Sequence, residues 1–174
     1  MPDDLARLFD DSVSLSLDAG APLFHAGDEV RAMAYVHEGR IDLTRHTSEG
    51  GVIVLQRAGP GEVVSEASAY SATYHCDARA GCTSSVSLVP VPEFRRRLAS
   101  DAALADLWAA HLARSVQATR LRAEIRSLRT VCERLDAWLG ARGPLPPKGA
   151  WQDLAAELGV TREALYRELA RRRG

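Results

Sequence analysis

The sequence predicts an α+β protein: an N-terminal antiparallel β-roll, a single long dimerisation helix, and a small C-terminal helix-turn-helix. Three observations predict it. Between Val13 and Pro92 the chain runs in short apolar or alternating stretches broken by Gly and Pro, the texture of many short strands closing into a roll. Between Asp101 and Arg129 it holds neither Gly nor Pro, and Leu107, Ala118, Leu121, Ile125 and Leu128 recur at heptad spacing. Near the C-terminus WQDLAAELGVTREALYRELARRR reads as helix, glycine turn, helix. The domains expected are 1–100 for the roll, 101–129 for the long helix and 130–174 for the helix-turn-helix.

Composition narrows the class. With 46% hydrophobic and 26% charged residues, the 174-residue chain is that of a soluble globular protein. Net charge is −1, so whole-chain charge announces no nucleic acid, but its distribution is uneven. From Thr130 onward eight basic residues stand against six acidic ones, whereas the remainder holds fourteen against seventeen. The basic end is the one suited to phosphate. MPDDLARLFDD is acidic and has no apolar h-region, so no signal peptide is expected. No apolar run approaches the ~18 residues of a membrane span. Three cysteines make no disulfide framework, which places the protein in the cytoplasm with free thiols.

The elements follow in order. A short, partly helical lead-in covers Met1 to about Asp11. Candidate strands are 13–17, 22–25, 33–37, 41–45, 52–56, 78–81 and 86–91, with turns at Gly20, Gly27-Asp28, Glu38-Gly39 and Gly50-Gly51 and a corner at Gly59-Pro60-Gly61. Residues 66–71 can form one helical turn. Pro92 suits a helix N1 position ahead of a short helix at 93–99, and Ser100 or Asp101 can cap the long helix that follows. That helix has the seam of a two-fold dimer, interrupted by His111 and Arg114. Thr130-Val-Cys-Glu133 matches a capping box, so the helix breaks there and a new one runs to Leu139. Cys132 lies in its first turn as a small core residue. The proline-rich stretch 143–149 is a stiff linker.

In the helix-turn-helix, Gly159 closes the first helix and Thr161 caps the second. Leu154, Leu158, Val160, Leu165 and Leu169 supply one shared core. At about 100° per residue, Arg162, Glu163, Tyr166 and Arg167 share one arc of the second helix, apart from its apolar face. Arg can pair bidentately with guanine and Glu can accept from cytosine, so this arc is a candidate base-reading surface. Thr161 and Arg171 complete the candidate DNA-binding set, and Arg171-Arg172-Arg173 can add phosphate contacts.

Order and motifs together resemble the CRP/FNR family of bacterial transcription regulators over nearly the whole chain. The resemblance rests on FHAGDEV at 24–30, HEGRIDL at 37–43, PGEVVSEASAY at 60–70 and GVTREALYRELARR at the recognition helix. The third segment looks like the family's cassette around a cyclic-nucleotide phosphate. The resemblance implies that Arg162, Glu163 and Arg167 read bases, that a homodimer binds a palindromic operator in double-stranded DNA, and that RNA polymerase is a further partner. It also implies an effector pocket at Ser65, Glu66, His75, Cys76, Asp77 and Thr119. Two departures matter. Cyclic-AMP binders of the family carry an Arg-Ser pair after the cassette glutamate, where this chain has Cys76 and Asp77, and Ser65 replaces the cassette glycine. A carboxylate repels a phosphate, so cyclic AMP is not the expected ligand. The sequence also ends without the β-hairpin wing that follows the family's recognition helix. The competing reading is therefore a ligand-binding or interaction module of the same fold that no longer binds DNA.

Other constellations are thin. Five scattered histidines raise a cupin-type metal enzyme, but no paired H-x-H with a spaced Glu is present, and no catalytic triad or phosphate loop stands out, so no enzyme is expected. His75 and Cys76 are the candidate metal ligands, and the sequence names no cofactor. Cys76 is a candidate reactive thiol and Cys82, in line with Ala78 and Ala80, an inert core residue. Six residues apart on an extended strand, the two lie about 20 Å from each other, too far to bridge.

Overall fold

The computed structural model describes residues 5–48 and 51–173, so Met1–Asp4 of the lead-in, Gly50 of the Gly50-Gly51 turn and Gly174 lie outside the described residues. Contacts divide the chain into two units at Leu112 and Ala113, inside the long helix.

The first unit opens with a 3-10 turn, Leu5–Phe9, whose Leu5, Leu8 and Phe9 are buried. Eight strands follow: β1 (Val13–Leu17), β2 (Pro22–Phe24), β3 (Ala32–Glu38), β4 (Ile41–His46), β5 (Val52–Ala58), β6 (Val63–Val64), β7 (Asp77–Ala80) and β8 (Ser84–Pro90). They form two four-stranded antiparallel sheets, β1-β8-β3-β6 and β2-β7-β4-β5. The α+β class with its N-terminal roll is therefore the observed one. Seven strands match the sequence periodicity. β6 has two residues, which is too short for alternation to register, and its pairing with Ala34 and Tyr35 is what makes it a strand. Cross-strand partners share a face, so Ala34–Leu88, Val36–Val86, Ile41–Ala80 and Leu43–Ala78 stack apolar side chains between the sheets. A bulge between Leu43 and Thr44 turns the end of β4 away from that regular pattern. The β3–β4 turn needs a glycine: Gly39 sits at φ 81°, and a Cβ there would collide with Ser84 and the Thr83 carbonyl.

Phe9 packs against Tyr35 and Phe94, closing one sheet face with helix α1 (Val91–Ser100), and Phe94 meets Trp108 edge-on at 5.1 Å. Pro90 rather than a polar residue precedes α1, and Pro92 stands in its first turn, where no amide needs a partner. The Asp101 carboxylate accepts from the Ala103 and Leu104 amides and so caps α2 (Ala102–Ser127). Leu104, Leu107 and Trp108 of this helix pack into the core of the first unit.

The second unit holds the rest of α2, then α3 (Val131–Arg142), α4 (Trp151–Leu158) and α5 (Arg162–Arg171). The capping box at Thr130 forms with both reciprocal bonds to Glu133. One core gathers Ile125, Leu135, Trp138, Trp151, Leu154, Ala155, Leu158, Leu165 and Leu169, with Leu121, Val160 and Tyr166 against it. This corrects the heptad seam. Ile125 is 2% exposed inside its own chain's core and so does not face a second copy, while Leu121 is half-buried against the same core and Leu107 against the other. Ala118 and Leu128 are half-buried, while Val116, absent from the heptad reading, is the large apolar side chain that α2 exposes. No helix among the described residues is long and apolar enough to cross a membrane.

Candidate functional site

The turn between α4 and α5 is built for a tight corner. Gly159 takes the left-handed conformation at φ 66° that lets its amide close α4, and Val160 N–H donates back to Ala155 O at 3.0 Å. A helix end leaves its last carbonyls without intrahelical partners. Two arginines satisfy them here. Arg126, from α2, donates to Ala156 O and Glu157 O, and Arg134, from α3, donates to Leu158 O and Gly159 O. Sequence reading missed both, because neither spacing nor charge run links a residue to a carbonyl 24 to 31 positions away.

Thr161 then caps α5, its hydroxyl accepting from the Ala164 amide at 3.2 Å. Leu165 and Leu169 are buried, and Arg162, Glu163 and Arg167 are exposed. Tyr166 is half-buried edge-on against Trp151, 5.2 Å between ring centres. The Arg162 guanidinium lies 5.1 Å over the Tyr166 ring and reaches its hydroxyl at 3.5 Å, a cation–π contact that holds it along the helix. Glu163 and Arg167 make no side-chain hydrogen bond or ion pair among the described residues. Arg171 is different: it donates twice to Glu168, at 2.8 and 3.0 Å, although its side chain is 64% exposed. Arg172 is tied inward to Glu168, Asp136 and the Cys132 carbonyl, and Arg173 lies over the Trp151 ring. The terminal arginine run is thus largely engaged within the unit. Cys132 is not a core residue; it is half-buried, with its sulfur 3.3 Å from both the Arg171 and Arg172 guanidinium groups. Two arginines hold the Glu168 carboxyl down at about 2.

The expected effector residues divide. Ser65 sits in the left-handed region at φ 64°, buried, and its hydroxyl donates to the Ser68 hydroxyl. Glu66 is buried at the start of the 3-10 turn Glu66–Tyr70. Cys76 is fully buried in line with Ala78 and Ala80, and desolvation pushes its thiol up despite the Arg45 cation. His75 is exposed, and its carbonyl accepts from Arg45. Thr119 belongs to the second unit, exposed on α2, where Arg122 donates to its hydroxyl. The cysteine assignments are therefore reversed: Cys76 is the core residue, and Cys82, past the end of β7, is exposed. Gly81 ends the strand before the alternation reaches Cys82.

Asp77 does not stand free for a ligand. Its carboxylate accepts from the Ala26 amide at 3.1 Å, with His25 Nδ1 at 3.3 Å and His46 Nε2 at 3.7 Å. The amide bond and the imidazoles hold its carboxyl below the usual range. The metal candidates do not converge either. Cys76 is buried while His75 is exposed, and no group of three potential ligand side chains gathers among the described residues. A half-open cavity of about 390 Å³ lies elsewhere in the roll, between Phe24, Ala32, Ala34, Tyr74 and Leu88.

Comparison with known proteins agrees with this architecture. The profile of the Cyclic nucleotide-binding domain family matches residues 14–101. A search of curated proteins finds no match. Among solved structures, FixK2 from Bradyrhizobium japonicum superposes with a TM-score of 0.74 at 18% identity, covering 92% of this chain and 83% of its own. CLP from Xanthomonas campestris, described as a c-di-GMP-responsive global regulator, gives 0.73 at 18%, covering 99% and 92%. The sensor domain of the transcriptional regulator DNR from Pseudomonas aeruginosa gives 0.56 at 26%, covering 75% and 85%. The chain belongs to the cyclic nucleotide-binding domain family and has the fold of the CRP/FNR regulators.

Proposed function

We propose that the protein is a DNA-binding transcription regulator of the CRP/FNR type, a homodimer that reads a palindromic operator through α5. The observation that carries this is the free face of α5. Arg162, Glu163 and Arg167 stand exposed on one arc, while Leu165, Glu168 and Leu169 are buried and Arg171 and Arg172 are ion-paired to Glu168. A guanidinium and a carboxylate left unpartnered on a well-fixed helix suit donor and acceptor edges in a major groove. The structural neighbours are regulators rather than enzymes, which supports the same reading. The β-roll is the sensor, and RNA polymerase is a further partner in this reading.

The effector is not cyclic AMP. At the two positions where the resemblance expects an Arg-Ser pair, Asp77 carries a carboxyl held below the usual range and Cys76 a buried thiol, which supports this. A mobility-shift assay with a duplex pool carrying a randomised two-fold-symmetric core tests the reading. Retention and enrichment of a palindrome is the expected result. A chain that retards no duplex even at low salt belongs to the competing class of ligand-binding module.

A further inference from the structure

Apolar contacts fix where a helix packs but leave its roll about its own axis soft, because dispersion and burial have no direction. Leu165 and Leu169 alone would give α5 such a seat. The roll matters for base reading. At a radius of about 5 Å, a rotation of about 20° carries a side chain by about 2 Å, beyond the tolerance of a hydrogen bond.

Something directional must therefore hold α5, and the far half of the helix supplies it. Glu168 and Arg172 lie one turn apart on the same side as Leu165, turned towards α3. Glu168 is 9% exposed, an unusual place for a carboxylate on a short surface helix. Arg172 Nε donates to Glu168 Oε1 at 2.6 Å, its Nη1 to Asp136 Oδ1 at 2.7 Å, and its Nη2 to the Cys132 carbonyl at 3.1 Å. One planar guanidinium thus spends its donors on α5 and on two successive turns of α3. A fork with fixed geometry bonded on three sides resists rotation in a way that leucines do not. Arg171 closes the other side of Glu168 with two further bonds.

We propose that Glu168, Arg172 and Asp136 are positioning residues for DNA recognition: a clamp between α3 and α5 that sets the roll of the recognition helix and so aims Arg162, Glu163 and Arg167. The clamp rests on the DNA-binding reading above. It touches no base itself and acts through the three readers. It sets specificity, not phosphate affinity.

The test uses the full chain, the palindrome enriched from the randomised pool, and a scrambled duplex of the same length. Arg172→Met keeps the length and apolar stem but removes the fork, and Glu168→Gln keeps the shape but removes the charge. Arg172→Lys keeps the charge without the planar fork. Expected is a tenfold or greater fall in the ratio of palindrome to scrambled affinity for Arg172→Met and Glu168→Gln. Scrambled-duplex affinity and its salt slope should stay within twofold, and Arg172→Lys should recover at most part of the ratio. Equal loss on both duplexes, or an unchanged ratio, overturns the clamp, since a general loss of folded protein lowers both affinities together. A second readout needs no DNA. Nuclear magnetic resonance of the Tyr166 ring, edge-on to Trp151, reports the roll of α5, and helicity by circular dichroism reports its folding. Shifted Tyr166 signals with helicity retained are expected in Arg172→Met; unshifted signals overturn the clamp whatever the DNA result. A wild-type chain that prefers no duplex, while Arg172→Met still shifts Tyr166, overturns the DNA reading and the aiming role with it, and leaves the α3–α5 tie as a structural contact.

Discussion

Arg162, Glu163 and Arg167 differ in what holds them, and that sets what each substitution does. Arg162 rests on the Tyr166 ring, so it keeps one geometry before any ligand arrives. Arg167 is exposed and unpartnered among the described residues, so removing it takes nothing from the fold. Arg167→Ala should therefore leave the melting temperature unchanged, cost about 1–3 kcal/mol on the enriched duplex, and relax base choice at one position per half-site. Titrating single-base variants of that duplex measures it; an unchanged preference at every position removes Arg167 from the reading set. The thiols separate as clearly. Cys82 is exposed, whereas Cys76 is fully buried and its thiol is pushed up by desolvation. Iodoacetamide on the native protein, followed by peptide mass analysis, should label Cys82 at least tenfold faster than Cys76, because alkylation needs both access and thiolate. Equal rates would mean that the β7 region opens easily. Asp77, the first residue of β7, meets imidazoles, while Cys76, just before the strand, is buried in the roll interior.

At the scale of elements, α2 carries the lesson about legibility. Its length, a cap at Ser100 or Asp101 (the structure uses Asp101) and its end before Thr130 are readable, because Gly, Pro and capping residues act locally. Its faces are not. Leucines at heptad spacing say that a face is buried, not what buries it, and here Leu107 goes to the first core while Leu121 and Ile125 go to the second. The same limit hid Arg126 and Arg134, whose partners are carbonyls on a distant turn, and the Glu168–Arg172–Asp136 tie, because the arginine run reads in sequence as a source of phosphate contacts. By contrast the glycine turn, the Thr161 cap and the reader arc were legible, since all three follow from residue type and a period of 3.6. Two substitutions on α2 should now behave differently. Ile125→Asp puts an unpaired charge in the second core and should destabilise that unit by on the order of 3–5 kcal/mol, seen as a lower melting temperature by circular dichroism. Val116→Glu places the charge on an exposed site and should leave the melt unchanged while lowering any self-association in sedimentation. If Ile125→Asp dissociates a dimer without loss of stability, the core assignment of Ile125 is wrong.

For the molecule as a whole, acid is the perturbation its electrostatics predict most directly. Glu168 is held at about 2, against an ordinary value of 4.5, first by the Arg171 bonds and then by Arg172. Asp136 is lowered by Arg172, Glu133 by the Thr130 amide and hydroxyl, Glu93 by Arg97 and Arg96, and Asp77 by the Ala26 amide and His25. All five shifts have one sign. A carboxyl that is more acidic folded than unfolded binds fewer protons in the native state, so its contribution is fully present above the unfolded value and disappears as pH falls through the folded one. For Glu168 that window runs from about 4.5 down to about 2. Both units carry such groups, Asp77 and Glu93 in the first and Glu133, Asp136 and Glu168 in the second, so both should lose stability on acidification. Melting followed by circular dichroism at pH 7, 5, 4 and 3 should show little change between 7 and 5 from these carboxyls and a progressive fall below about 4.5. Glu168→Gln should start lower at pH 7 and lose less on the way down, because the substituted side chain has no proton to take up. The two curves should converge towards pH 2, where wild-type Glu168 is itself half protonated. Parallel curves for wild type and Glu168→Gln down to pH 3 would mean that Glu168 is not held by its arginines in solution, and the depressed carboxyl would have to be reassigned.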